Sequence, residues 1–157
     1  MKQSKNNMHC KGFTLVELIV VIAIIGVLAG ILVPSMLGYV KRAKFSSANA
    51  TAKTLYNAGM VACREQDILK PIPPGIYTGT STGEIAESIC KHIYEYDADL
   101  NGTDWAVKIE EDVVTAAVYR KDADTLYFGT FPHSNDEKRT DFSVEKAIDF
   151  ALTGVWS

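Results

Sequence analysis

Residues 11–26 read KGFTLVELIVVIAIIG. From Phe13 onward the stretch is almost all hydrocarbon, yet it holds a carboxylate, Glu17. An ionised carboxylate in an apolar surrounding costs several kcal/mol unless a partner meets it. The run continues well past the quoted stretch, and Leu18 to Val33 contains no charged or strongly polar side chain. Counted from Phe13 it is 21 residues long. At about 1.5 Å per residue, a helix of that length spans a hydrocarbon core of about 30 Å. The pattern predicts a membrane-spanning helix over 13–34 with one acid near its start.

The 157 residues suffice for such a helix and one small domain. A formal charge of −3 argues against a nucleic-acid footprint. Removing residues 1–12 takes Lys2, Lys5 and Lys11 with it and leaves 13 basic against 19 acidic residues, a charge of −6. No nucleic-acid partner is expected of so acidic a chain.

Three readings compete for residues 1–33. A conventional secretory signal would be cut after its apolar core, for which Val27-Leu28-Ala29 offers small residues. It leaves Glu17 in a segment that is thrown away. A plain anchor would place the leader lysines inside the cell, but Lys41, Arg42 and Lys44 beyond the span nearly balance them, so charge does not settle orientation. It too has no use for Glu17. In the third reading the cut falls between Gly12 and Phe13, and the apolar run is kept.

Lys11-Gly12-Phe13-Thr14-Leu15-Val16-Glu17, followed by an apolar helix, resembles the signal of type IV prepilins and the related pseudopilins. The leader is short, basic and free of acids, and Met8 offers an alternative start. The resemblance covers about the first third of the chain. It implies that a prepilin peptidase cuts after Gly12 on the cytoplasmic side, that the new amino group of Phe13 is methylated, and that a pilus assembly platform in the membrane receives the product. Elementary physics agrees. Glu17 follows Phe13 by four residues, so both lie on one helix face, and an α-amino group is positive near neutral pH. A neighbouring subunit at the same depth can supply the counter-charge, which turns a costly lone ion into a device for registry. Gly26 and Gly30 form a small-xxx-small face, and Pro34 continues the spacing and clashes with the Gly30 carbonyl. The three mark a weak stretch of helix, which the resemblance implies opens when subunits pack into a filament.

Beyond Pro34, apolar or small residues at Met36, Val40, Ala43, Ala48, Ala52, Leu55, Ala58 and Ala62 keep a helical period, opposite Lys41, Arg42, Lys44, Lys53 and Asn57. One helix from about Phe13 to about Arg64, some 75 Å long, is predicted. Lys70 to Gly75 is a breaker-rich loop. Ser81-Thr-Gly-Glu84 fits a capping box for a helix ending near Tyr94, with Cys90 toward its buried side. Trp105 to Ile109, Val113 to Tyr119 and Leu126 to Phe131 read as strands of an antiparallel meander. Val144 to Leu152 has helical spacing and stops at Gly154, and it would cover a sheet face or edge.

Little in the chain points to catalysis. His9, His92 and His133 show no nucleophile, ligand or acid/base spacing, and no phosphate loop is present, so no enzyme and no cofactor is expected. Asp97, Asp99, Asn101 and Gly102 match the first half of a calcium loop, but its twelfth position is Lys108 where a bidentate Glu belongs. The alternative is a polar turn. Cys63 and Cys90 either stay as two buried thiols or form a disulfide, worth about 3 to 4 kcal/mol for a loop of this length. Asn49-Ala-Thr51 and Asn101-Gly-Thr103 are sequons. Tyr77, Tyr94, Tyr96, Trp105, Tyr127 and Trp156 either pack in a core or include a sugar-stacking platform.

The fold class expected is α+β: a long N-terminal helix, its first half membrane-spanning, packed on a small antiparallel β-meander head with short helices. Residues 1–12 are the cleaved leader, 13–34 the transmembrane and filament-core helix, and 35–157 the amphipathic continuation plus the head. The resemblance implies a structural pilus subunit forming a helical homo-oligomer, held in the cell membrane as a single-pass precursor and then exported in the filament. Its alternatives are a secretion-system or competence pseudopilin, or a filament-borne adhesin with a carbohydrate or other surface ligand.

Overall fold

The computed structural model describes residues 13–67 and 70–156. Its elements are α1 (Leu15–Asp67), β1 (Gly75–Thr78), α2 (Glu84–Tyr96), β2 (Asp104–Glu110), β3 (Val113–Arg120), β4 (Phe128–Phe131) and α3 (Val144–Thr153), with a 3₁₀ turn at Ala98–Leu100. They divide into two compact units, Met1–Val40 and Lys41–Ser157.

In the first unit, every described residue from Phe13 to Val40 is helical or leads into helix, and all are exposed. A soluble helix hides its apolar stripe; here Ile19, Ile22, Ile25, Leu28 and Leu32 stand open on all sides. The segment is long and apolar enough to cross a membrane.

The second unit carries the core. Its four strands form one antiparallel sheet in the order β1-β2-β3-β4, the predicted meander with one strand more. Residues Gly75 to Thr78 pair with Ile109 to Ala106 as β1. The sequence reading took 70–75 as loop and found no strand after it, because four residues beside Pro and Gly give no period to read. The sheet is covered on both faces. Leu55, Ala58 and Ala62 of α1 and Ile89 and Ile93 of α2 pack with Trp105, Val107, Ile109, Val114 and Ala117 on one side. Ala147, Ile148 and Ala151 of α3 pack with Ala116, Val118 and Phe128 on the other. A register shift between Lys108 and Ile109 explains the alternation in β3. It leaves Thr115 as the extra residue of a bulge, so Val114 and Ala117 face one side and Ala116 the other. The β2–β3 turn runs through Glu111 (φ 51) and Asp112 (φ 60), a left-handed pair that suits a tight hairpin.

Three details differ from expectation. Burial along α1 starts at Phe45, and Met36, Val40 and Ala43 are exposed despite their helical spacing. The α2 N-terminus is not a capping box. Glu84 is the first helical residue, Gly83 (φ 111) holds the cap position, and no side chain caps it. The Ser81 hydroxyl instead accepts from Thr78 N at 2.9 Å, closing the turn after β1, and Glu84 pairs with Lys70. The last strand begins at Phe128, two residues later than its β-rich run.

Close approach fixes how α1 meets the sheet. A Cβ on Gly129 would lie 2.0 Å from the Ala48 carbonyl oxygen, so β4 touches the helix backbone there. Asn49 locks the contact. Its Oδ1 accepts from Thr130 N at 3.0 Å and Asn135 N at 3.2 Å, and its Nδ2 donates to Asn135 O at 2.8 Å. On the far face, Ser143 Oγ accepts from Lys146 N to start α3, and Gly154 (φ 73) ends it.

Candidate functional site

Thr14 is the cap residue of α1 and Glu17 stands at its third helical position. Thr14 N and Thr14 Oγ1 both donate to Glu17 Oε2, at 2.8 and 2.7 Å, and Glu17 N donates to Thr14 Oγ1 at 3.2 Å. This is a reciprocal capping box that satisfies two otherwise orphan amides. A carboxylate in the first turn also suits the positive end of the helix dipole. Glu17 therefore has a use within its own chain, which the reading of a plain anchor had denied it. The signal is present in the sequence as Thr-x-x-Glu ahead of an apolar run.

Gly12 lies outside the described residues, and Phe13 precedes the cap and is exposed. Glu17 and Phe13 thus sit together at the helix start. Gly26, Gly30 and Pro34 lie within α1, which runs through them as continuous helix. A Cβ on either glycine would meet nothing within 4 Å, so this side of the helix is open to close approach by another chain. Ser35 Oγ donates to Leu32 O at 2.8 Å, using its hydroxyl on the helix beside the proline.

The head residues singled out by sequence have structural occupations. Asp97 Oδ1 accepts from Asp99 N at 3.1 Å as the cap of the 3₁₀ turn. Lys108, at the place of the missing calcium ligand, pairs with Glu110 at 2.9 Å. Among the described residues no group of three or more His, Cys, Asp or Glu is placed to hold a metal. Cys63 and Cys90 are free thiols, both buried in the core between α1, α2 and the sheet. Burial pushes the Cys63 thiol up to about 11, with Asp112 adding to it. Cys90 Sγ donates to Thr78 O at 3.4 Å. His92 lies between Ser88 O at 2.8 Å and Glu65 Oε2 at 3.3 Å, and His133 is tied to Ala151 O at 2.9 Å. Asn49 of the first sequon spends its amide on the contact with β4, while Asn101 of the second is exposed.

The aromatic residues are divided among separate packing groups. Trp105 is buried edge-on to Tyr94. Trp156 stacks on Phe150 at 4.2 Å with Arg139 over its ring, and Tyr127 meets Phe45. Of the six, Tyr96 alone is strongly exposed.

Residues 7–33 match the prokaryotic N-terminal methylation motif. The chain is 42% identical over 67 residues to the type IV major pilin protein PilA of Myxococcus xanthus, covering 43% of this chain and 30% of that one. To the type IV major pilin protein PilE of Neisseria gonorrhoeae it is 35% identical over 108 residues, 69% of this chain and 56% of that one. To the type IV wide pilus major component PilA4 of Thermus thermophilus it is 50% identical over 48 residues, 31% of this chain and 33% of that one. The chain thus spans between about a third and just over half of these relatives' lengths. No solved structure matches it significantly.

Proposed function

We propose that this chain is a structural subunit of a type IV pilus. The observation that carries the reading is the helix from Leu15 onward. It bears the methylation motif at its start, and the apolar side chains along its first half are exposed. Such a surface needs lipid before assembly and other copies of itself afterwards. The relatives that share the segment are themselves named as major pilus components, which favours a filament subunit over a secretion pseudopilin or an adhesin.

In this reading a prepilin peptidase removes residues 1–12 after Gly12, and Phe13 becomes the methylated N-terminus. The span over 13–34 holds the precursor in the cell membrane with the head outside, until the assembly platform draws it into the filament. Glu17 then has two roles in turn: it caps its own helix, and its second carboxylate oxygen is left to meet the Phe13 amine of an adjoining subunit. The Gly26, Gly30 and Pro34 stretch is where the helix would yield on packing, since glycine and an internal proline both lower helix stability. No chemistry is asked of the head.

Shearing filaments from the surface of cells that express the chain tests the reading. The chain should dominate the sheared material. Its absence from filaments, with the protein present in the membrane, would contradict it.

A further inference from the structure

Lys41, Arg42 and Lys44 follow the span on the side opposite the leader, where the positive-inside rule disfavours cations. The fold of the second unit adds to them. Tyr127, in the loop before β4, packs edge-on against Phe45 with ring centroids 5.0 Å apart. Lys44 Nζ lies 4.9 Å and Lys138 Nζ 4.6 Å from the centre of the Tyr127 ring, and Lys41 Nζ lies 5.9 Å from that of Phe45. Lys121 lines the same open groove of about 380 Å³ as Lys44 and Tyr127, with Asp122 the one acid there.

None of Lys41, Arg42, Lys44, Lys121 and Lys138 makes an ion pair among the described residues. Lys70, Lys91, Lys108, Arg120, Arg139 and Lys146 all do, while Lys53 and Arg64 likewise make none. The surplus is felt at Tyr127, whose phenol is held below its usual range by the adjacent Lys138 ammonium first and by the charges of Lys44 and Lys41. Like charges gathered this closely repel one another unless an anion comes between them. The rest of the molecule is acidic, so an anionic surface attracts it in one orientation.

The location says which surface. Lys41 follows Val33 by eight positions, at most about 28 Å of chain even if fully extended. The cluster is therefore tethered close to the headgroup layer that the span leaves. Lysine stems lie along apolar surface with their ammonium ends in water, and tyrosine favours the same interface.

We propose that Lys41, Lys44, Lys121, Lys138 and Tyr127 dock the head of the membrane-inserted subunit onto anionic phospholipid headgroups before assembly. The proposal rests on the pilus-subunit reading only in taking 13–34 as a span with the head outside. Docking holds the unassembled head at the bilayer, and assembly exchanges lipid phosphate for other partners. Each such lysine shifts a surface equilibrium about fivefold, so three together shift it on the order of a hundredfold.

The test uses the full processed chain in vesicles, with a fluorophore on Ala123→Cys beside the groove and quenchers attached to lipid headgroups. Flotation first establishes that the chain is embedded; a chain that fails to float overturns the span, and the docking that depends on it falls with it. For an embedded chain, quenching should be strong in phosphatidylcholine mixed with phosphatidylglycerol and weak in phosphatidylcholine alone. The triple variant Lys41→Gln, Lys44→Gln, Lys138→Gln should lose the difference, while Lys91→Gln with Lys146→Gln keeps it. Equal quenching in both vesicles, or an unchanged triple variant, overturns the proposal. So does release by inorganic phosphate but not by chloride at equal ionic strength, which would assign a site for free phosphate.

Discussion

Thr14 and Glu17 exchange three hydrogen bonds, so the acid that looked stranded in hydrocarbon is first of all a helix cap. Two substitutions separate capping from pairing. Glu17→Gln keeps an oxygen that can accept from Thr14 N but removes the charge. It should insert and be processed normally yet fail to assemble, read as filament yield; normal yield would reduce Glu17 to a cap. Thr14→Val breaks the box at a cost of about 1 kcal/mol and leaves the charge, so filaments should still form. At Cys63, burial raises the folded thiol from 9.0 to about 11. A raised value means that folding favours the protonated thiol. Its contribution is complete below pH 9 and is lost as pH climbs toward 11. Cys63→Ala should flatten that part of the alkaline limb in denaturant unfolding followed against pH. The Thr14 box was legible in sequence; the thiol's environment was not, because burial depends on contacts between α1, α2 and the sheet.

At the scale of elements, sequence spacing located α2, β2, β3 and α3 because each repeats its own period long enough to be read. β1 escaped because its four residues are strand only through pairing with β2. The predicted cap at Ser81 failed for a similar reason: the hydroxyl had a nearer amide to satisfy at Thr78. Apolar spacing along α1 overran the true contact surface, since period shows which face is apolar and not where a partner begins. The contact of β4 with α1 rests on Gly129. Gly129→Ala would press a methyl group against the Ala48 carbonyl, and should cost at least the upper part of the range of about 1 to 3 kcal/mol typical of overpacking. A fall in the denaturant midpoint of the chain in detergent checks this, and an unchanged midpoint would mean that strand and helix separate freely. Asn49→Ala should act on the same contact by leaving Thr130 N and Asn135 N unpaired.

For the whole molecule, the division of labour follows from where apolar surface is satisfied. The second unit closes two cores around its sheet and leaves little undone. The first leaves an entire apolar helix to be satisfied by lipid or by other subunits. That contrast was readable from hydropathy alone, and the matches to pilus components agree with it. Gly12→Ser should block removal of the leader, seen as retention of the precursor mass in the membrane fraction. The most direct measurement is the N-terminal sequence and mass of the chain recovered from sheared surface filaments. The recovered chain should begin at a methylated Phe13 with its apolar helix intact; a chain beginning at Gly30, with that helix cut away, would overturn the pilus-subunit reading.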